Sequence, residues 1–428
     1  MQSFLGVAGV TSPLPSSHTY KGHDDEDVTF SIAFSPPSTP TPSRAEGIYS
    51  LTSPFVGSGA KTGQSGFAPK QEGDTLSLPA WKPGYVYSAH EGSRIFWVSL
   101  TQTSGVSPQL VVSAGLDDML RVWDVSVEGI PRLRSEFGGS ALGAMSAAHV
   151  VGNDPRCGLL TGVGSEGSVV WHDVEVGEVA GVFTLPESVV GACGPEAKAT
   201  YALASGADGS SVFASAGSLG GGLVWDLRVG HPVLAVAPES EYACGAWDLV
   251  RAMDLSADGE ILALGGEAAV HMYDLRSPLT PLFAEDAGHA DFVDAVALDV
   301  AGGHLVSSGR DGVVRVWSPW SDSPSVPRTI RDSLLPEVEG EVVSTNLAVD
   351  PGQGLLVVPS APGSLLMYDL DTPDQALRMA VHGDDGEEPA DFVRVALNTH
   401  PDRTRDDIHA VTADLSGNLY LWYSVEDA

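Results

Sequence analysis

A short apolar strand ending in Trp-Asp or a close variant recurs seven times, and it constrains this chain more than any other feature. The copies are LRVWDV (Trp123, Asp124), VVWHDV (His172, Asp173), GLVWDL (Trp225, Asp226), VHMYDL (Tyr273, Asp274), VRVWSP (Trp317, Ser318), LLMYDL (Tyr368, Asp369) and LYLWYS (Trp422, Tyr423). Successive copies lie 44 to 54 residues apart. A unit repeated at that period cannot bury its apolar face alone and must stack against its neighbours. The punctuation inside each unit agrees. One runs FVDAVAL, DVAGG, HLVSSG, RDG, VVRVWS, and another runs VRAMDL, SADG, EILALGG, VHMYDL. Asp-Gly pairs at 208–209, 258–259 and 311–312 sit between strands, as tight hairpins prefer. No amphipathic helical stretch interrupts them. The pattern predicts an all-β chain of four-stranded antiparallel blades.

These residues carry a family resemblance. The chain resembles a WD-repeat β-propeller from roughly residue 82 to residue 428. In that family a Gly-His pair precedes the first strand of a unit, and a His–Ser/Thr–Asp–Trp set of hydrogen bonds ties the blade together. Gly288-His289 supplies the pair, and Ala89-His90 is a near variant. Two units then carry the full set: His90, Ser113, Asp117 and Trp123, and His289, Ser307, Asp311 and Trp317. In the other five the Asp slot holds Glu166, Leu219, Glu267, Pro362 and Ser416, so those blades must lean on apolar packing.

Ring closure leaves two alternatives. The last unit lacks an outer strand of its own, and an open ring would expose strand edges. GYVYSAH (84–90) can supply the missing strand and close seven blades. Alternatively, GHDDEDVTFSIAFSP, IYSLTS and LSLPAW, which ends in Trp81, build an eighth blade closed by SFLGVAGV. Ser, Thr, Pro and Gly fill 37 of residues 1–75, which favours seven. The expected division is a Pro/Ser/Gly-rich segment at 1–80, or a degenerate extra blade there, followed by the propeller at 81–428.

Composition narrows the function. The chain has 22 Lys+Arg against 56 Asp+Glu, a net charge of −34. Direct gripping of a nucleic-acid backbone or an anionic membrane needs the opposite sign. The acidic clusters Asp24–Asp27 and Asp384–Glu388 read as solvated loops or as docking points for a basic peptide. Three cysteines (Cys157, Cys193, Cys244) without a CxxC fit a reducing compartment, and no stretch is apolar enough to span a bilayer. The expectation is a cytoplasmic or nuclear protein. The histidines show no metal-ligand spacing, and GxGxxG at 162–167 leads into a strand, not the helix a dinucleotide site requires. No catalytic set, metal site or cofactor is expected.

What remains is protein interaction. Trp97, Trp247, Phe292 and Phe392 fall just before or at the first strand of a unit, which in the family reaches one end of the channel. ADFVDAVAL (290–298) and ADFVRVAL (390–397) echo one another there. Leu116 and Arg310 precede the Asp slot and belong to the same end. Aromatic and Arg residues anchor protein interfaces. Trp225, Asp226, Arg228 and Tyr273, Asp274, Arg276 resemble the WDxR box of cullin-ligase substrate receptors. AHEGSRIFWVSL with LVVSAGLDDMLRVWDV is similar to the first unit of the superkiller-complex WD-repeat subunit, which implies RNA decay or transcription; the WD-repeat peroxisomal import receptor is a further relative. The expected function is a non-enzymatic scaffold whose partners are larger complex subunits or basic peptides.

Overall fold

The computed structural model describes most of residues 81–424, leaving out 101–108, 186–198, 237–248, 381–390 and shorter loop segments. Before residue 81 it describes only the strands His18–Lys21 and Asp27–Phe30, which pair as an antiparallel hairpin. All three cysteines and the acidic clusters Asp24–Glu26 and Asp384–Glu388 lie outside the described residues.

Seven four-stranded antiparallel sheets follow one another, and no helix occurs among the described residues. Blade 1 runs through Ile95–Leu100, Leu110–Gly115, Leu120–Asp124 and Arg132–Phe137. Blade 2 holds Met145–Val150, Leu159–Val163, Val169–Asp173 and Glu178–Phe183. Blade 3 holds Thr200–Ser205, Val212–Gly217, Gly222–Asp226 and Pro232–Val236. Blade 4 holds Ala252–Leu255, Ile261–Gly265, Val270–Asp274 and Pro281–Glu285. Blade 5 holds Val293–Asp299, His304–Gly309, Val314–Trp317 and Arg328–Ile330. Blade 6 holds Ala348–Asp350, Leu355–Ser360, Ser364–Asp369 and Ala376–Ala380. Blade 7 takes Phe392–Leu397, Ala410–Asp414 and Asn418–Ser424 from the C-terminal end, and its outer strand is Trp81–Ser88.

The closing pair runs from Trp81–Ser424 to Ser88–Asn418 and sets the blade count at seven. Trp81, which the eight-bladed alternative places at the end of a third strand, instead opens this outer strand; IYSLTS and SFLGVAGV lie outside the described residues. The junction is tight. The backbone N–H groups of Ala89 and His90 donate to the Gly417 carbonyl at 2.9 and 3.0 Å. Gly417 has φ +86°, and a Cβ there would meet the His90 carbonyl oxygen at 1.9 Å, so only glycine fits.

The core lies between blades. The second strand of each blade, running between the channel strand and the Trp-Asp strand, is apolar on both faces; LVVSAG and LLVVPS are buried throughout. Such strands read as continuous apolar runs because neighbouring sheets cover both sides. Leu356, Val358, Leu366 and Tyr368 of blade 6 pack on Val306, Val314 and Val316 of blade 5, and comparable clusters recur around the ring. The Asp that closes the repeat strand starts the next turn. The Oδ1 atoms of Asp173, Asp226, Asp274 and Asp369 accept the backbone N–H two residues on, at 2.9–3.0 Å.

Candidate functional site

Both expected hydrogen-bond sets are present. In blade 5, His289 Nδ1 lies 3.1 Å from Asp311 Oδ1, His289 Nε2 lies 2.8 Å from Ser307 Oγ, and Trp317 Nε1–H donates to Ser307 Oγ at 2.8 Å. In blade 1 the matching distances for His90, Asp117, Ser113 and Trp123 are 2.8, 2.9 and 3.2 Å. A carboxylate only accepts, so it places the imidazole proton on Nδ1, and the chain runs Trp to Ser to His to Asp. Arg121 and Arg315 complete the sets by pairing with Asp117 and Asp311 at 2.6 and 3.1 Å. Burial lowers the pKa of His289 although Asp311 opposes it. Burial raises Asp311, but hydrogen bonds from Ala290 N–H, His289 and Arg315 outweigh it and hold the carboxyl below its usual range. A Cβ on Gly309 would sit 2.5 Å from His289 Nδ1 and 2.8 Å from Asp311 Oδ1, so this glycine belongs to the set as well.

The other blades keep fragments. Trp225 donates to Ser215 at 2.8 Å and Trp422 to Thr412 at 3.0 Å, with no His–Asp pair beside them among the described residues. In blade 2, His172 occupies the Trp slot and bonds Thr161 Oγ1 at 2.9 Å, a structural role. Gly162 and Val163 end the second strand there, and Val169 begins the third. The GxGxxG stretch therefore leads from one strand into its antiparallel neighbour, as the sequence suggests, and not into a helix.

The place with interaction chemistry is one mouth of the central channel. It opens into a cavity of about 660 Å³ lined by the starts of the inner strands. Five inner strands bulge at the same point, at Phe96, Ser146, Tyr201, Asp294 and Val393. A bulge re-aims its side chain, and the first four of these line the cavity. Four arginines join them: Arg94, Arg251, Arg310 and Arg394. Asp294 bridges two of them, with Arg310 Nε at 2.9 Å and Arg251 Nε at 3.1 Å. Both guanidiniums also lie near the Phe292 ring, at 5.5 Å for Arg251 and 5.9 Å for Arg310. Arg394 reaches the carbonyls of Phe96 and Val393 at 2.5 and 2.8 Å. Burial lowers Arg394 to about 10 and lowers Arg251 too, with Asp294 opposing in both cases. His149 lies 6.3 Å from Trp97, accepts the Ser205 backbone N–H at 3.1 Å, and is lowered to about 4 by burial.

The expected interaction residues divide on this geometry. Trp97, Phe292 and Arg310 stand at the mouth, and Leu116 is exposed beside it, its N–H bonded to the Arg94 carbonyl. Trp247 lies outside the described residues. Phe392 is a correction, since it is fully buried against Tyr420 and Trp422, with ring centroids 5.0 and 5.9 Å apart. The echo between ADFVDAVAL and ADFVRVAL is out of register by one residue. Val293 pairs with Gly309, and Phe392 pairs with Asp414, the structural counterpart of Gly309. Phe292 therefore matches Asp391, and a one-residue slip exchanges mouth for core. In register, Val393 matches the bulge residue Asp294 and Arg394 matches Ala295, so the echo carries no signal for Arg394. Arg94 and Arg251 each directly precede an inner strand, a signal present in the sequence.

The WDxR-like residues behave as turn elements. Trp225 and Tyr273 are fully buried. Arg228 clamps Asp226 at 2.5 Å, and Arg276 pairs with Asp274 at 2.8 Å and Glu260 at 3.0 Å. The Arg228 hydrogen bond draws the Asp226 carboxyl down to about 2. No group of His, Cys, Asp and Glu arranged for a metal occurs among the described residues.

Known proteins agree with this geometry. Residues 81–124 and 282–318 match the WD domain, G-beta repeat family (WD40). Each match covers the outer strand of one blade and the first three strands of the next: the closing strand with blade 1, and the outer strand of blade 4 with blade 5. The chain is 27% identical over 140 residues to the target of rapamycin complex subunit LST8 of Saccharomyces cerevisiae, covering 31% of this chain and 45% of that protein. It is 33% identical over 102 residues to the target of rapamycin complex subunit wat1 of Schizosaccharomyces pombe, covering 22% of this chain and 32% of that protein. The chain thus spans less than half the length of the curated relatives it matches. They belong to a different assembly from the superkiller complex, and the specific resemblance to its subunit is not supported. With two segments matching the WD40 repeat, two complete hydrogen-bond sets and seven four-stranded blades, the chain carries WD40-type repeats on a seven-bladed β-propeller fold.

Proposed function

We propose that this propeller is a non-enzymatic interaction scaffold, a subunit that seats a larger protein on the face carrying the channel mouth. The observation that carries the reading is the mouth itself. The Arg251 and Arg310 guanidiniums both lie near the Phe292 ring, and both arginines line the cavity with part-exposed Trp97 and exposed Tyr201. Aromatic rings and arginines on a rigid rim are the usual anchors of a protein interface. The relatives, named as subunits of target of rapamycin complexes, support the subunit reading. The compartment expected from cysteine usage, cytoplasm or nucleus, belongs to the same proposal. The ligase-receptor alternative loses support because Arg228 and Arg276 are engaged by carboxylates of their own turns.

The test is affinity purification of the tagged chain from its native cells, with Phe292→Ser alongside. The expected result is a stoichiometric larger partner on the wild type that is lost from the variant, with both melting at the same temperature. A wild-type chain recovered alone overturns the reading.

A further inference from the structure

Among the described residues, the charge of the cavity lining is opposite to that of the protein. The chain carries 22 basic residues against 56 acidic ones. Four of the basic residues, Arg94, Arg251, Arg310 and Arg394, converge on one cavity where Asp294 is the only lining carboxylate among the described residues. One acid cannot balance four guanidiniums, two of which it already bridges. The arginines also oppose one another, since Arg94 and Arg251 act against the charge of Arg394, and Arg310 acts against that of Arg251. Cationic groups gathered in a partly desolvated cleft focus a field that selects anions. At about 660 Å³ the cavity has the size of a ligand site. Phe96, Trp97 and Tyr201 add apolar surface around the charges, which suits a peptide better than a bare ion.

Resting on the scaffold reading above, we propose that the channel mouth receives an acidic peptide segment of the partner, whose carboxylates or phosphates pair with Arg94, Arg251 and Arg310. The basic peptide expected from net charge belongs, on this view, to the acidic outer surface and not to the channel.

Fluorescence anisotropy tests this on the full chain. The probes are a fluorescein-labelled glutamate-rich peptide, its phosphoserine counterpart and its glutamine counterpart, with inositol hexakisphosphate as a free polyanion. An acidic peptide is expected to bind, more weakly as salt rises, and the glutamine peptide at least about tenfold more weakly. Arg310→Gln and Arg94→Gln should each weaken binding about tenfold without changing the melting temperature. Arg94→Gln guards against the case in which Arg310→Gln disturbs folding by releasing Asp294. Equal binding of the glutamine peptide, indifference to both variants, or binding of inositol hexakisphosphate alone overturns the proposal. If the native partner co-purifies but no acidic peptide binds, the proposal falls and the scaffold reading stands. If the chain is recovered alone yet binds the peptide, the scaffold reading falls instead.

Discussion

Replacing Ser307 by alanine removes a single oxygen from the centre of blade 5. That oxygen accepts the Trp317 indole N–H at 2.8 Å and lies 2.8 Å from His289 Nε2. Ser307 is fully buried, Trp317 is 3% exposed, and the His289 side chain has no exposure. Water cannot replace the lost bonds, so Ser307→Ala leaves two buried polar groups unsatisfied. At about 1–3 kcal/mol for each orphaned group, the expected cost is ~2–6 kcal/mol. Blade 1 offers an internal comparison. There Trp123 is part-exposed and its bond to Ser113 is longer, 3.2 Å, so Ser113→Ala should cost less, ~1–2 kcal/mol. Urea unfolding followed by tryptophan fluorescence measures both. Adding Trp317→Phe removes the orphaned N–H, and the double-mutant cycle should show a coupling of about 1–2 kcal/mol. Equal costs in the two blades, or strict additivity in the cycle, would refute the argument that burial and bond length set the value of these networks.

Other outcomes follow from the geometry. Gly417→Ala should destabilise by more than ~2 kcal/mol, since its Cβ would strike the His90 carbonyl at 1.9 Å. Gly259→Ala, at a similar φ of +72° but with open space, should cost only ~1 kcal/mol, and parallel thermal melts separate the two. Phe392→Ala should cost ~3–5 kcal/mol as a core truncation, while Trp97→Ala should disturb stability less and weaken partner capture; a pull-down with matched melts distinguishes them. Acid should destabilise the fold through His172, lowered to about 4 by burial. Between its ordinary value of 6.5 and about 4 the unfolded chain takes up a proton that the folded one refuses. Stability therefore falls as pH drops through that window, by up to about 3 kcal/mol for this group. His172→Gln should flatten the slope of melting temperature against pH. Asp254, raised to about 6 by burial, acts with the opposite sign between pH 4 and 6, and Asp254→Asn should steepen the slope.

The propeller was legible because its repeat is written in local chemistry. The Ser/Thr that receives the Trp-slot indole stands ten residues before it at 113/123, 215/225, 307/317 and 412/422. Two strands joined by a tight turn fix that separation whether or not the His and Asp are kept. The channel mouth was only half legible. Phe292 and Arg310 could be placed because they flank a complete hydrogen-bond set. Phe392 could not, because position in a bulged strand depends on where the extra residue falls, and the bulge after Phe392 leaves no mark in composition. Arg94, Arg251 and Arg394 come from blades 1, 4 and 7, and only ring closure brings them together.

The closing strand also sets a timetable. Trp81 pairs with Ser424, so on a ribosome adding ~5–20 residues each second the outer strand of blade 7 waits about 340 residues, roughly 20–70 s, for its partner. A strand that must stand unpaired for that long invites association with other chains. This one is poorly suited to it. Lys82 projects from it, Pro83 withholds a donor, a bulge breaks it between Pro83 and Tyr85, and only Trp81 is fully covered once the ring closes. Features that weaken the latch strand in isolation keep it available until the C-terminal end of the chain emerges and closes the circle.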